Sequence, residues 1–152
     1  MKYEAAMPTA FVQDYRARWV DMDFNQHMRN AAYLGWSEET RMRFLDAHGW
    51  SMDEFTRLRL GPVVVEDRLT YRSELRLLEP FQVDLVVAGI SSDARKMRVR
   101  NHFRRTADGG PCAMVESVIL WFDLAARNAV APPPALRDLW LSLPRTDDFT
   151  AM

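Results

Sequence analysis

Residues 20 to 41 read VDMDFNQHMRNAAYLGWSEETR, with Asp21, Asp23, Asn25, His27 and Asn30 crowded into ten positions just before a run of helix formers. A carboxylate such as Asp23 can attack an electrophilic carbonyl or take a proton from water. Backbone N–H groups at a helix start lack intrahelical partners, and the helix dipole favours negative charge beside them. A loop aspartate feeding a helix start therefore brings a base and an oxyanion site together, as acyl transfer to water requires. Asp23 and Asn25 equally suit turn-making and capping, so the pattern alone supports both readings. His27 can polarise a carbonyl, orient Asp23, or only hydrogen-bond the loop. Asp21, Asp23 and His27 also resemble a two-carboxylate, one-histidine metal set. The other histidines, His48 and His102, have no motif spacing, and no metal or cofactor is expected.

Two elements must hold this stretch. Residues 11 to 20, FVQDYRARWV, alternate with Phe11, Tyr15, Ala17 and Trp19 on one face, which predicts a half-buried strand. From Asn30 to His48 there is no Pro and a single Gly, and Ala31, Leu34, Met42 and Leu45 recur near helical spacing. Ala32, Tyr33, Trp36, Phe44 and Ala47 widen the apolar surface, so this helix is expected to be central. Glu38 and Arg41, three apart on it, are expected to pair along the helix.

Downstream, Ser51 followed by Glu54 predicts a capping box and a short helix to Leu58. The period then changes to two over 63–71, 81–90, 96–105 and 112–124, which predicts four more strands. After APPPA, residues 136–143 are expected to form a short helix before a polar end. Strand, long helix, then four strands give an α+β design, an antiparallel sheet against one helix, with self-association expected. Along the fourth strand Lys96, Arg98, Arg100, His102 and Arg104 share one face, which is either solvated or a cradle for phosphates.

At 152 residues the chain predicts a single domain over 1–152, its core at about 11–125 and a C-terminal extension over 126–152. The net charge of -1 gives no general attraction to nucleic acid or anionic lipid, and neither is an expected partner. Cys112 alone cannot form an intrachain disulfide and is expected to be a small buried hydrophobe in a cytoplasmic protein. No stretch has a signal-peptide pattern or approaches the ~18 apolar residues of a membrane span.

The spacing D-x-D-x3-H-x2-N-x2-Y-x4-E-x2-R, here Asp21, Asp23, His27, Asn30, Tyr33, Glu38 and Arg41, resembles the 4-hydroxybenzoyl-CoA thioesterase family over roughly residues 11 to 125. The resemblance implies a hotdog fold, a five-stranded antiparallel sheet around one long helix, in dimers joined edge to edge or in tetramers, with active sites at the dimer interface. It implies an acyl-CoA thioesterase with Asp23 as nucleophile or general base, assisted by Asn25 and His27. Asn30, Tyr33, Arg98 and Arg100 are the expected substrate contacts, the two arginines holding the phosphates of coenzyme A. Asp23, Asn25 and His27 also resemble the D-x-N-x-H set of plant acyl-carrier-protein thioesterases. The chain departs from the commoner pattern at Gln26, where many members have Gly, and at Arg29 and Asn30. Some hotdog thioesterases take their acid from the helix, which makes Glu39 and Glu66 further candidate carboxylates. A carrier-protein thioesterase and a non-catalytic acyl-CoA or fatty-acid binding protein on the same fold are the alternatives.

Overall fold

The computed structural model describes residues 10–152. Chain order is β1 (Phe11–Arg16), a 3-10 turn (Trp19–Asp21), α1 (Asn30–Ala47), α2 (Met52–Leu58), β2 (Leu60–Tyr71), β3 (Pro80–Ile90), β4 (Lys96–Arg105), β5 (Pro111–Asp123), β6 (Asn128–Ala129), α3 (Pro134–Leu141) and β7 (Arg145–Ala151). Strands run β1-β3-β4-β5-β2 across an antiparallel sheet, so β1 and β2, far apart in space, form its two edges. β6 adds a short pair to β5, and β7 lies parallel to the far end of β3. None of the described helices is long and apolar enough to cross a membrane.

The period-2 sequences decide which sheet face is dry. Phe81, Val83, Leu85 and Val87 of β3, with Met97, Val99 and Phe103 of β4, are fully buried and face α1. α1 answers with Ala32, Tyr33, Trp36, Phe44 and Leu45, the large ones each contributing roughly 1.5–3 kcal/mol on removal from water. Its N-terminal half packs in a cluster with Tyr15, Phe81, Phe103 and Val115. Its C-terminal half packs with Trp121 and, from α3, Leu136 and Trp140.

Ser37, Thr40 and Arg41 lie on the same buried face. Ser37 donates to Asn101 Oδ1, whose amide donates to the Asp84 carbonyl at 2.7 Å. Arg41 donates to Ser37 Oγ and Ser117 Oγ at 3.3 Å each, and Ser117 donates to Asp67 at 2.6 Å. This polar thread ties α1 to β2, β3, β4 and β5, satisfying groups that would each be costly to bury alone.

Three sequence expectations change. The first strand stops at Arg16, because the Asp21 carboxylate accepts from Arg18 N at 2.9 Å and curls the chain into a 3-10 turn. Trp19 is thereby 78% exposed instead of buried. Only half of the expected capping box forms: Ser51 Oγ accepts from Glu54 N at 3.2 Å, while the Glu54 side chain turns to Arg57 at 2.6 Å. The polar C-terminal end is a strand, β7, seated beside Gly89.

Candidate active site

The loop before α1 is built around two aspartates with different surroundings. Asp21 is 3% exposed and accepts from the Arg18 guanidinium at 3.1 and 3.2 Å and from the Trp36 indole at 3.1 Å. Burial pushes its carboxyl upward, but the Arg18 and Trp36 hydrogen bonds outweigh this and hold it below the usual carboxylate range. Arg18 lies 4.5 Å over the Trp36 ring, so the aspartate, the arginine and the helix form one unit. The Asp21 carbonyl accepts from Arg29 N at 2.8 Å, fixing where α1 begins.

Asp23 stands at the exposed tip of the loop. Its Oδ1 accepts from Asn25 N at 2.8 Å and His27 N at 3.2 Å. Backbone bonds between Asp23 and His27, and the pairing of Met22 with Met28, close the loop. Gln26 takes the left-handed conformation at its turn, φ 65°, where glycine would sit without strain. Met28 N donates to the Leu75 carbonyl at 2.7 Å, pinning the loop to the β2–β3 connection. Among the described residues nothing donates to Asp23 Oδ2, so one oxygen of the carboxylate organises the loop and the other is available to a ligand. No side chain caps α1 at Arg29, so its first amides are left without a side-chain acceptor.

Asp23 lines two clefts. One, of about 330 Å³, runs toward the β2 edge past His27, Asn30, Tyr33, Tyr71 and Glu74. The other, of about 600 Å³, runs toward the β1 side past Trp19, Met22, Gln26, Arg76 and Leu77. In the first, the His27 ring lies 3.7 Å from Glu74, and Tyr71 Oη donates to the Asn30 carbonyl at 3.3 Å. Tyr33 packs edge-on to Tyr71 and Phe103, and burial pushes its phenol up to about 12. It is a hydrogen-bond donor that keeps its proton at any working pH. Taken together, an exposed carboxylate, a helix start and a protonated phenol form a constellation able to activate water and meet an oxyanion.

A model of the Thioesterase-like superfamily matches residues 17–139. The chain belongs to that superfamily. Its fold is shared with a Staphylococcus aureus hypothetical protein solved in complex with CoA, with TM-score 0.81, 23% identity, and coverage of 93% of this chain and 90% of that one. It is shared with a 1,4-dihydroxy-2-naphthoyl-CoA thioesterase from Synechocystis, with TM-score 0.79, 11% identity and coverage of 88% and 96%. It is shared too with a gentisyl-coenzyme A thioesterase, with TM-score 0.72, 17% identity and coverage of 84% and 98%. The fold is therefore the hotdog fold of thioesterases, as the motif implies.

On this thioesterase-like scaffold Asp23, His27, Asn30 and Tyr33 line one cleft, and Asn25 joins them through its backbone amide. Arg98 and Arg100 do not. They point from the outer sheet face, where Glu116 pairs with Arg98 at 3.5 Å and Arg100 at 2.6 Å, and Asp148 of β7 grips Arg100 at 2.7 and 2.8 Å. His102 and Arg104 pair with Asp84. Carboxylates from neighbouring strands thus already partner these charges away from the Asp23 clefts, which alternation within one strand could not reveal. The expected Glu38–Arg41 pair is likewise absent among the described residues: Glu38 is exposed, while Arg41 turns inward to Ser37 and Ser117. Burial lowers the Arg41 pKa, partly offset by the charges of Glu38 and Asp67. Glu39 pairs with Arg43 over Tyr15, and Glu66 lies out on β2; neither lines a cleft with Asp23. Sequence spacing missed Glu74, Tyr71, Trp19 and Arg76, which reach the site from the distant β2 end and β2–β3 connection or from a turn read as a strand. Cys112 is buried, which pushes its thiol upward, as a core residue would be.

Proposed function

We propose that the chain is an acyl-CoA thioesterase in which Asp23 attacks the thioester carbonyl or draws a proton from the water that does. The observation that carries this reading is the Asp23 carboxylate, held by one oxygen and open at the other, at the meeting point of two clefts and the start of α1. A thioester has two arms, and its reacting carbon belongs where the arms diverge. His27 beside Glu74 is placed to orient the attacking group, and the first amides of α1 to receive the oxyanion. The products are a carboxylic acid and a free thiol.

Among the described residues the twelve-residue strand β2 pairs only with β5, which leaves its other side open. Such an edge supports a homodimer in which a second copy covers the cleft beside Tyr71. The test is a panel of aliphatic and aromatic acyl-CoAs with release of free thiol followed by colour. The wild-type protein is expected to turn over at least one of them, and Asp23→Asn to lower kcat by at least about 100-fold. Full activity in Asp23→Asn would overturn the assignment.

A further inference from the structure

Resting on that reading, we infer that the cleft toward β1 is the nucleotide subsite, where Trp19 stacks on the adenine of coenzyme A and Arg76 pairs with a phosphate. The observations come from what each cleft offers. The Trp19 indole is 78% exposed and packs on no other aromatic ring among the described residues. Arg76 is exposed, with no ion pair and no side-chain hydrogen bond among those residues. Arg16 gives one donor to the carbonyl of Leu78, the residue after the lining Leu77, and meets no carboxylate within 4 Å among the described residues. This contrasts with Arg98 and Arg100, whose charges are already answered on the outer face. An exposed indole in one cleft with the unpaired Arg76 guanidinium suits a base and its phosphates, since a base offers a π-face and Arg a planar phosphate donor.

The other cleft is unsuited to that arm. It carries Glu74, whose carboxylate would repel phosphates, and it is smaller, with Tyr33, Tyr71 and Met28 along its wall. It also opens at the β2 edge, where a second copy would cover it, a good place for an acyl group and a poor one for a solvated nucleotide. The β1-side cleft has no β2 residue in its lining and is the larger of the two. With the carbonyl at Asp23, the acyl arm therefore points toward β2 and the pantetheine and nucleotide toward Trp19 and Arg76.

The experiment compares one acyl group on coenzyme A and on N-acetylcysteamine, which lacks the nucleotide. In Trp19→Ala and in Arg76→Ala, the ratio of kcat/KM for acyl-CoA to kcat/KM for the short thioester is expected to fall about tenfold, through KM. Arg76→Lys should recover part of it, and circular dichroism should match wild type. An unchanged ratio in both variants overturns the subsite while leaving the thioesterase reading intact. Calorimetric titration with 3′,5′-ADP decides the case even if no tested thioester turns over. Binding to wild type that is lost in Trp19→Ala supports the subsite, and no binding to wild type overturns it and favours a carrier-protein thioester.

Discussion

Two aspartates separated by one methionine do different work because their surroundings differ. Asp21 is an anchor. In Asp21→Asn the Arg18 ion pair is lost and the buried Trp36 contact weakened, with an expected cost of about 2 kcal/mol, measured by urea unfolding at pH 7. Because the folded carboxyl titrates below its usual 3.8, its stabilisation is present above that value and disappears as pH falls below it. The gap between variant and wild type should therefore narrow progressively as the pH falls below that value, and a gap unchanged by acidification would contradict the role. Tyr33 gives a complementary expectation. With its phenol pushed up to about 12, it should add no alkaline limb to the pH–rate profile, and Tyr33→Phe should lower the profile without changing its shape. Loss of one neutral donor predicts roughly a threefold to tenfold fall in kcat/KM. At this scale the motif was largely legible, because residues close in sequence share one loop and one helix turn. Glu74 and Arg76 were not, since only tertiary contacts such as Met28 N to Leu75 O bring the β2–β3 connection to the loop.

Elements were legible where a periodic pattern had one dry face. β3, β4 and β5 and the central helix fall where apolar spacing placed them, within a residue or two at most ends. β7 was invisible for a physical reason: Arg145, Asp147 and Asp148 face water, and its register is set by main-chain pairing and by Asp148 reaching Arg100. Gly89 makes that pairing possible. A Cβ there would meet the Thr150 carbonyl and the Met152 side chain at 3.0 Å, and the carbonyl, being backbone, cannot swing aside. Gly89→Ala is thus expected to displace the end of β7, cost about 1–3 kcal/mol, and raise amide exchange over residues 149–152. Unchanged exchange there would mean that β7 is not held by this contact. α1 shows the converse case, in which a pattern was seen but its meaning was not. Helical spacing placed Glu38 and Arg41 together, yet the buried sheet supplied Ser117 and Asn101 as better partners for the polar face.

For the whole molecule the deciding feature is the edge of β2, unpaired among the described residues. A strand of twelve residues with one open side, exposed Val64, Val65 and Tyr71, and a bulge between Val64 and Glu66 is a surface that a second copy can extend. Joined antiparallel about a two-fold axis, the Tyr71 end of one strand meets the Leu60 end of the other. The cleft beside Asp23 is then roofed by the partner, whose own small cavity of about 220 Å³, between Arg41, Pro62, Val64 and Trp140, lies at that end of its strand. The acyl arm would run across the join, so catalysis and assembly should fail together. Val65→Lys places two cations near the axis of such a pair at a side chain already 53% exposed in one copy, which leaves the folded protomer little affected. Sedimentation velocity is expected to show a dimer for wild type and a monomer for the variant, with unfolding unchanged to within about 0.5 kcal/mol. Activity on acyl-CoA should fall with the monomer fraction and return on raising protein concentration. A variant that stays dimeric places the interface elsewhere, and a fully active monomer means that one copy encloses its own site.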